Sequence, residues 1–320
     1  MTTAAGRNRY SRPMGAPRYL ILGATGGPGL GTFLHLAREG AKVTGIGRNP
    51  QHVEVLNSFL RSRDLPGRVV QMDLWRPPPD LADLVMQATV LVSASQANFA
   101  THCMQLPHRL ERLVAVSSIR LYSRFPHPLI PPIAELRDLV ENGPVSGVLL
   151  LTTMQTGGVG YNNLERLAQL ARLSPVIPLP FAAAEALVQP IHTDDVVHCI
   201  RRCLDQMPGS PVVALGGPVQ LRYADLIRHV GAAVGRTVRT PTVPDSIVHL
   251  AATVLSSLPG GPGISAEELR RVAEDKVCDT AEMVRLFGIE PRPLQYEEPI
   301  LDYHDAINRV FASLESSDAH

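Results

Sequence analysis

The stretch that decides the fold runs from Tyr19 to Phe33, YLILGATGGPGLGTF. Tyr19, Leu20, Ile21 and Leu22 read as a short buried strand, Gly23, Gly26 and Gly29 follow at three-residue spacing, and a helix opens with Pro28 near its first turn. A second strand is expected from Lys42 to Gly47, so the glycines sit between a strand and a helix inside a repeating unit. That context separates a dinucleotide loop from an ordinary glycine-rich turn. The turn must be tight, the backbone must approach a pyrophosphate, and the helix must pack closely on the strand. The helix start is then expected to offer free N–H groups and positive partial charge to phosphates. Gly23, Thr25, Gly26, Gly27 and Gly29 are the first cofactor-binding candidates.

Working outward, the second strand runs into Arg48-Asn49-Pro50 with no acidic residue between Ala41 and Gln51. At this strand tip a carboxylate would accept the ribose 2′-hydroxyl of NAD, whereas an arginine accommodates the 2′-phosphate of NADP. Arg48 therefore points to NADP, with NAD as the alternative. A helix from about Gln51 to Ser62 leads to a third strand, RVVQMD, ending at Asp73, which can accept from an adenine amino group or cap the next turn. ATVLVSAS supplies a fourth strand, Thr89 to Ser93, and LVAVSS a fifth, Leu113 to Ser117. A helix from Ile133 to Glu141 and a sixth strand, Val148 to Leu151, complete the alternation. Strands and helices alternating through short loops predict a parallel, doubly wound α/β sheet. Ligands gather at the carboxyl ends of such strands, so Ser93, Ser117, Ser118 and Thr153 are expected to face one crevice.

From Gly157 the texture changes. Tyr161-Asn162-Asn163 precedes a helix to about Arg172, and SPVIPLPF is a proline-rich connector. VQPIHTDDVVHCIRRCLD begins another helix, with Asp194 read as its N-cap because a side-chain oxygen there satisfies orphan N–H donors. PVVALGG is a return strand, Leu221 to Gly235 a helix, and Pro244 to Leu314 mostly helical with breaks at 259–263 and 291–293. The expected organisation is a tail over 1–17, a dinucleotide-binding domain over 18–157 to which 185–220 returns, and a substrate lobe over 158–184 and 221–315. That lobe is expected to be smaller, mainly helical and packed over the crevice.

At 320 residues the chain can hold one large α/β domain plus a lobe. Thirty Lys and Arg balance thirty Asp and Glu, so the whole-molecule field favours neither nucleic acid nor an anionic membrane as partner. A small-molecule substrate is the expected partner, and an oligomer is compatible with the sequence. Cys199 and Cys203 are four apart on a helix, but no second pair exists. With Cys103 and Cys278 they read as small buried thiols in a reducing compartment, and no metal site is expected. Met1 to Pro17 is polar with several arginines, a tail rather than a signal peptide, and no apolar run approaches a membrane span. A soluble, cytoplasmic protein is expected.

With these residues in view, the chain resembles an extended short-chain dehydrogenase/reductase of the atypical branch. That branch includes NAD(P)-binding epimerase/dehydratase-like proteins and the accessory subunit of respiratory complex I. The resemblance spans about residues 18 to 295 and rests on GATGGPG at 23–29, Asp73, VAVSS at 114–118 followed by Tyr122, and PIHTDDVV at 190–197. The stretch ALGGPVQLRYADLIRHVGAAVG, then PDSIVHLA and FGIEPRPL, resembles the tail of the same branch. The resemblance implies a Rossmann sheet and a nicotinamide cofactor.

The departures bear on chemistry. The family uses a serine at the end of the fifth strand and a Tyr-x-x-x-Lys pair, in which the lysine lowers the tyrosine pKa and holds the ribose. Here no tyrosine is followed four residues later by lysine, and counting back from Glu135 places His127 and Pro131 where the pair would stand. The only lysines, Lys42 and Lys276, are far from that helix in sequence. LTTMQTG at 151–157 resembles the family's Arg-Pro-Thr-x-x-Tyr-Gly stretch, with Leu151, Thr152 and Thr156 replacing arginine, proline and tyrosine. A nucleotide-sugar epimerase is therefore disfavoured. The remaining catalytic candidates are Ser117, Ser118, Tyr122 and His127, with Tyr161 behind them and His192 read as structural. Two functions follow: an NADP-dependent oxidoreductase, or a non-redox isomerase, lyase or cyclase, acting on a small organic substrate; alternatively, a non-catalytic NADP-binding sensor or assembly subunit.

Overall fold

A computed structural model describes residues 16–160, 163–244, 273–298, 300 and 302–317. The expectations for 1–15, for Tyr161, for most of PDSIVHLA and for the 259–263 break lie outside these residues.

In chain order the first half comprises β1 (Arg18–Leu22), α1 (Gly27–Arg38), β2 (Lys42–Gly47), α2 (Pro50–Ser62), β3 (Arg68–Gln71), α3 (Asp80–Gln87), β4 (Val90–Ser93), α4 (Ala97–Gln105), β5 (Arg112–Ser118), α5 (Ile130–Asn142) and β6 (Ser146–Thr152). The second half adds β7 (Gln155–Thr156), α6 (Asn163–Leu173), β8 (Leu179–Pro180), α7 (Phe181–Glu185), β9 (Leu187–Val188), β10 (Ile191–His192) and α8 (Thr193–Asp205). It continues through β11 (Val212–Leu215), β12 (Leu221–Arg222), α9 (Tyr223–Ala233), β13 (Thr242–Val243), α10 (Ala281–Phe287) and α11 (Tyr303–Ser317).

Seven strands form one sheet in the order β11-β6-β5-β4-β1-β2-β3, every neighbouring pair parallel. The strand order reverses between β1 and β4, which opens a crevice beyond their carboxyl ends. Side chains alternate across the sheet, so Leu20 and Leu22 face α3, α4 and α5 while Ile21 faces α1 and α8. Both faces are covered, which is why the strands read as near-continuous apolar runs. Phe33 is fully buried under this sheet, worth about 2–3 kcal/mol relative to exposure. Cys199 and Cys203 are free thiols buried on α8 in the same core layer.

The lobe packs α6, α7 and α9 around Leu164, Leu167, Ile227 and Val230. Its helices are joined by short pairs of strands, β8 with β13 and β9 with β12, that the proline-rich sequence conceals. The start of α8 differs from the sequence expectation. His192, with extended backbone, is the N-cap: its Nδ1 accepts from the Asp194 amide at 3.1 Å. Asp194 is already inside the first turn, where its charge complements the helix dipole.

Candidate functional site

The glycine turn is built by backbone contacts that side chains would block. Gly23 has φ +83°, and the amides of Gly23 and Ala24 both donate to the Ile46 carbonyl, at 3.1 and 3.0 Å. A Cβ on Gly29 would lie 2.3 Å from the Gly23 carbonyl oxygen, so α1 can approach the turn only with glycine there. Gly26 is the extended N-cap of α1 and Gly27 its first residue. The first turn is less open than the sequence suggests. Pro28 carries no N–H, and the Gly27 amide donates to Val159 O at 2.7 Å, correcting the expectation of a wholly free helix start. Val159 belongs to a strap, 157–160, in which Gly157, Gly158 and Gly160 all have positive φ. Thr193 Oγ1 anchors the strap by donating to the carbonyls of Thr156 and Gly157 at 3.0 and 2.9 Å.

The far side of the loop is pinned by the C-terminal helix. Tyr303 donates its hydroxyl to the Thr25 carbonyl at 3.0 Å, and its ring stacks on His52 with centroids 3.9 Å apart. Burial raises the Tyr303 pKa, keeping this donor protonated.

A crevice of about 1780 Å³ runs from this loop to the lobe. Gly23, Thr25, Gly26, Gly27, Arg48, Asp73, Ser117, Ser118 and Thr153 all line it. Gly29, Ser93, Tyr122 and His127 do not. Gly29 packs on the turn, and Ser93 is the last, fully buried residue of β4, its Oγ 3.4 Å from that of Ser95, so the following Ala94 and Ser95 form the wall. Tyr122 is 60% exposed at the end of a 3₁₀ turn, Ile119–Tyr122. The Nδ1 of His127 accepts from the Leu129 amide at 3.0 Å, stiffening the approach to α5.

The lining residues have definite partners. Asp73 caps the turn after β3, its Oδ1 accepting from the Trp75 amide at 3.1 Å. Ser118 Oγ accepts from the Arg120 amide at 3.2 Å, and the Ser117 carbonyl accepts from Thr152 Oγ1 at 2.9 Å. Thr153 is buried and donates its hydroxyl to the Gln189 carbonyl. Gln189 in turn donates Nε2 to the Gly217 carbonyl and accepts from the Cys278 amide, both at 2.8 Å. Gln189 thus joins the end of β6, through its backbone carbonyl, to the segment after β11 and to the C-terminal segment, through its side-chain amide.

That segment brings in what sequence reasoning missed. Glu274 is buried and accepts from Ser123 Oγ at 2.5 Å and the Arg124 amide at 2.6 Å, just beyond β5. Two residues on, the Lys276 amide donates to the Leu187 carbonyl at 2.7 Å, and Lys276 lines the crevice. Tyr223, at the start of α9, lines it too, and burial raises its pKa. The rarity of lysine was the available signal, since one of only two reaches the crevice.

The two motifs that carried the family resemblance meet behind the site. Arg292, from FGIEPRPL, places Nε 3.3 Å from Asp195 Oδ1, pairs through Nη1 with Asp194, and donates its amide to Asp195 Oδ2 at 2.9 Å. Burial raises the Asp195 pKa, opposed by these contacts with Arg292. Burial lowers the pKa of His192, with Asp194 acting the other way.

No protein-family model and no curated protein sequence matches this chain. Solved structures do. An NADPH-dependent quinone oxidoreductase from Escherichia coli, complexed with NADPH, superposes with a TM-score of 0.65 at 15% identity, covering 92% of this chain and 99% of that one. The two share a Rossmann-like α/β fold. A nucleoside-diphosphate-sugar epimerase from Staphylococcus aureus matches with TM-score 0.64 at 13% identity, over 86% of this chain and 97% of that one. A UDP-glucose-4-epimerase from Stenotrophomonas maltophila, with bound NAD, matches with TM-score 0.61 at 17% identity, over 95% and 99%. The shared fold thus extends over both the sheet and the lobe. Among the described residues no helix is long and apolar enough to cross a membrane.

Proposed function

We propose that this protein binds NADP in the crevice and uses it as an oxidoreductase on a small organic substrate. The observation that carries the reading is the glycine turn at the β1/β4 switch point, opening into the same crevice as Ser117, Ser118, Tyr223 and Lys276. The cradle fits a dinucleotide: glycines at 23 and 29 leave no side chain between the turn and α1. Arg48, exposed at the tip of β2 with no neighbouring carboxylate in sequence, fits a 2′-phosphate and makes NADP the preferred form over NAD. The quinone oxidoreductase with the same fold was solved with NADPH, and the UDP-glucose-4-epimerase with NAD.

When bound, the nicotinamide supplies hydride chemistry. This chain's own residues orient and protonate. Ser117 and Ser118 stand at the end of β5, where a hydroxyl can hydrogen-bond a substrate oxygen, and Tyr223 carries a proton on the lobe wall. Lys276 contributes the positive charge that the absent Tyr-x-x-x-Lys pair would have supplied, reaching the crevice from a different part of the chain. A non-redox isomerase, lyase or cyclase uses the same pocket and the same groups without net hydride loss.

A non-catalytic NADP-binding sensor or assembly subunit is the second reading, favoured by Tyr122 and His127 standing outside the lining and by the Val159 strap on the first turn of α1. Protein mixed with NADPH and a panel of quinones and carbonyl compounds separates the two. Loss of reduced-nicotinamide absorbance, dependent on the second substrate and abolished in Lys276→Met, supports catalysis. Tight NADPH binding without turnover on any of them supports the sensor.

A further inference from the structure

The crevice is larger than one ligand needs. Small-molecule sites occupy roughly 300–1000 Å³, whereas this one is about 1780 Å³ and continues past the glycine turn into the lobe. Its two ends differ in chemistry. The lobe end is walled by Leu167, Leu170, Ile177, Leu179, Ile227 and Val243, contributed by α6, the connector, α9 and β13. Its charged lining residues are Arg166 and Lys276, both cationic. Asp73 is the only carboxylate among the described lining residues, and it lies at the other end, after β3. A ligand seated in the lobe therefore meets an apolar wall whose charged members, among the described lining residues, are the cations Arg166 and Lys276.

Lys276 is held where the two ends meet. Its backbone bridges Val188, and β9 pairs with β12 at the start of α9, while Glu274 two residues earlier grips Ser123 and Arg124 beyond β5. The ammonium-bearing residue is thus strung between the strand end that carries Ser117 and Ser118 and the apolar lobe.

We propose that the lobe end binds an amphipathic carboxylate, with its apolar chain or ring system against α6 and α9 and its carboxylate directed to Lys276. The proposal rests on the dinucleotide reading, because it assigns the glycine-turn half of the crevice to the cofactor and leaves the lobe half to this ligand. Apolar burial supplies most of the affinity, and the charge pair fixes which end of the molecule faces the reacting groups.

Dodecanoate is the probe, titrated calorimetrically into the full-length protein with and without saturating NADPH, with dodecanol and acetate as controls. The expected result is saturable, one-site binding of dodecanoate, retained with NADPH present, weaker for dodecanol and absent for acetate. Lys276→Met should weaken dodecanoate by about tenfold, with Lys276→Arg restoring most of it. Leu173→Ser, at an 83% exposed rim position of the lining, should weaken dodecanoate without loss of fold. Dodecanoate that fails to bind while NADPH binds normally overturns this proposal alone. Equal affinity for Lys276→Met, or displacement of dodecanoate by NADPH, overturns it as well. Failure of NADPH to bind, with dodecanoate binding intact, instead strikes the dinucleotide reading.

Discussion

The Gly27 amide donates to the Val159 carbonyl at 2.7 Å, so the strap between β7 and α6 closes on the first turn of α1. A diphosphate at that turn competes for the same N–H, and because Pro28 has none, the competition falls on one bond. The strap carries three glycines at positive φ, and Thr193 Oγ1 holds its start. Saturating NADPH should therefore change amide exchange in 157–160 as well as in 23–29. Exchange that changes only in the glycine turn would mean the strap does not yield to the cofactor.

Arg48 is expected to discriminate between the two nicotinamide cofactors. Arg48→Ala should weaken NADPH by about tenfold and leave NADH within about twofold, because an arginine at this strand tip accommodates the 2′-phosphate that NADH lacks. Equal losses for both nucleotides would assign Arg48 to the fold rather than to the phosphate.

Arg292 clamps the start of α8 from the far end of the chain. Removing it in Arg292→Ala leaves the buried Asp195 carboxylate with a backbone amide as its remaining partner from that segment. A fully buried pair broken this way costs about 3–5 kcal/mol, but the guanidinium is 42% exposed and screened, so about 1–3 kcal/mol is expected from urea unfolding. A midpoint indistinguishable from the parent protein would show that the clamp is not energetically coupled to the fold.

His192 gives the stability a pH dependence of definite sign. Burial lowers its pKa below the ordinary 6.5, so the neutral ring that accepts from Asp194 N–H is favoured in the folded state. That contribution is present above the unfolded value and is lost as the pH falls through the folded one. His52, also lowered by burial, acts in the same window, whereas the raised pKa of Asp195 works in the opposite direction at more acidic pH. His192→Asn keeps a capping acceptor, so stability near pH 8 should change little while the decline between about pH 7 and 5 becomes shallower. An unchanged slope would remove His192 from this account.

The sheet and the glycine turn were legible because their signals are local. Leu20, Ile21 and Leu22 are apolar in succession since both sheet faces are covered, and Gly29 is required by a contact only six residues away. Ser117, Ser118 and Thr153 followed from strand direction alone. The region after β5 resisted, because the 3₁₀ turn and the prolines at 126 and 128 redirect the chain, so counting from Glu135 says nothing about which side chains reach the crevice. Asp194 was read as a cap because aspartate is a common one, but the histidine two residues earlier holds that position. Lys276, Tyr223 and Gln189 were hidden for a different reason: their placement depends on pairings across the fold, between segments about 90 residues apart in the cases of Lys276 with Leu187 and Cys278 with Gln189.

Fluorescence titration of NADPH into the parent protein and Gly26→Asp reads whether the glycine turn holds the cofactor, with thermal unfolding of both to establish that the variant folds. Gly26 caps α1, and a Cβ added there would lie 3.2 Å from the Val159 carbonyl oxygen, so an aspartate sets a carboxylate where a diphosphate would lie. Saturable binding by the parent protein and a loss of about tenfold or more in a folded Gly26→Asp are expected. No affinity of the parent protein for NADPH or NADH, or equal affinity in the variant, would contradict the account.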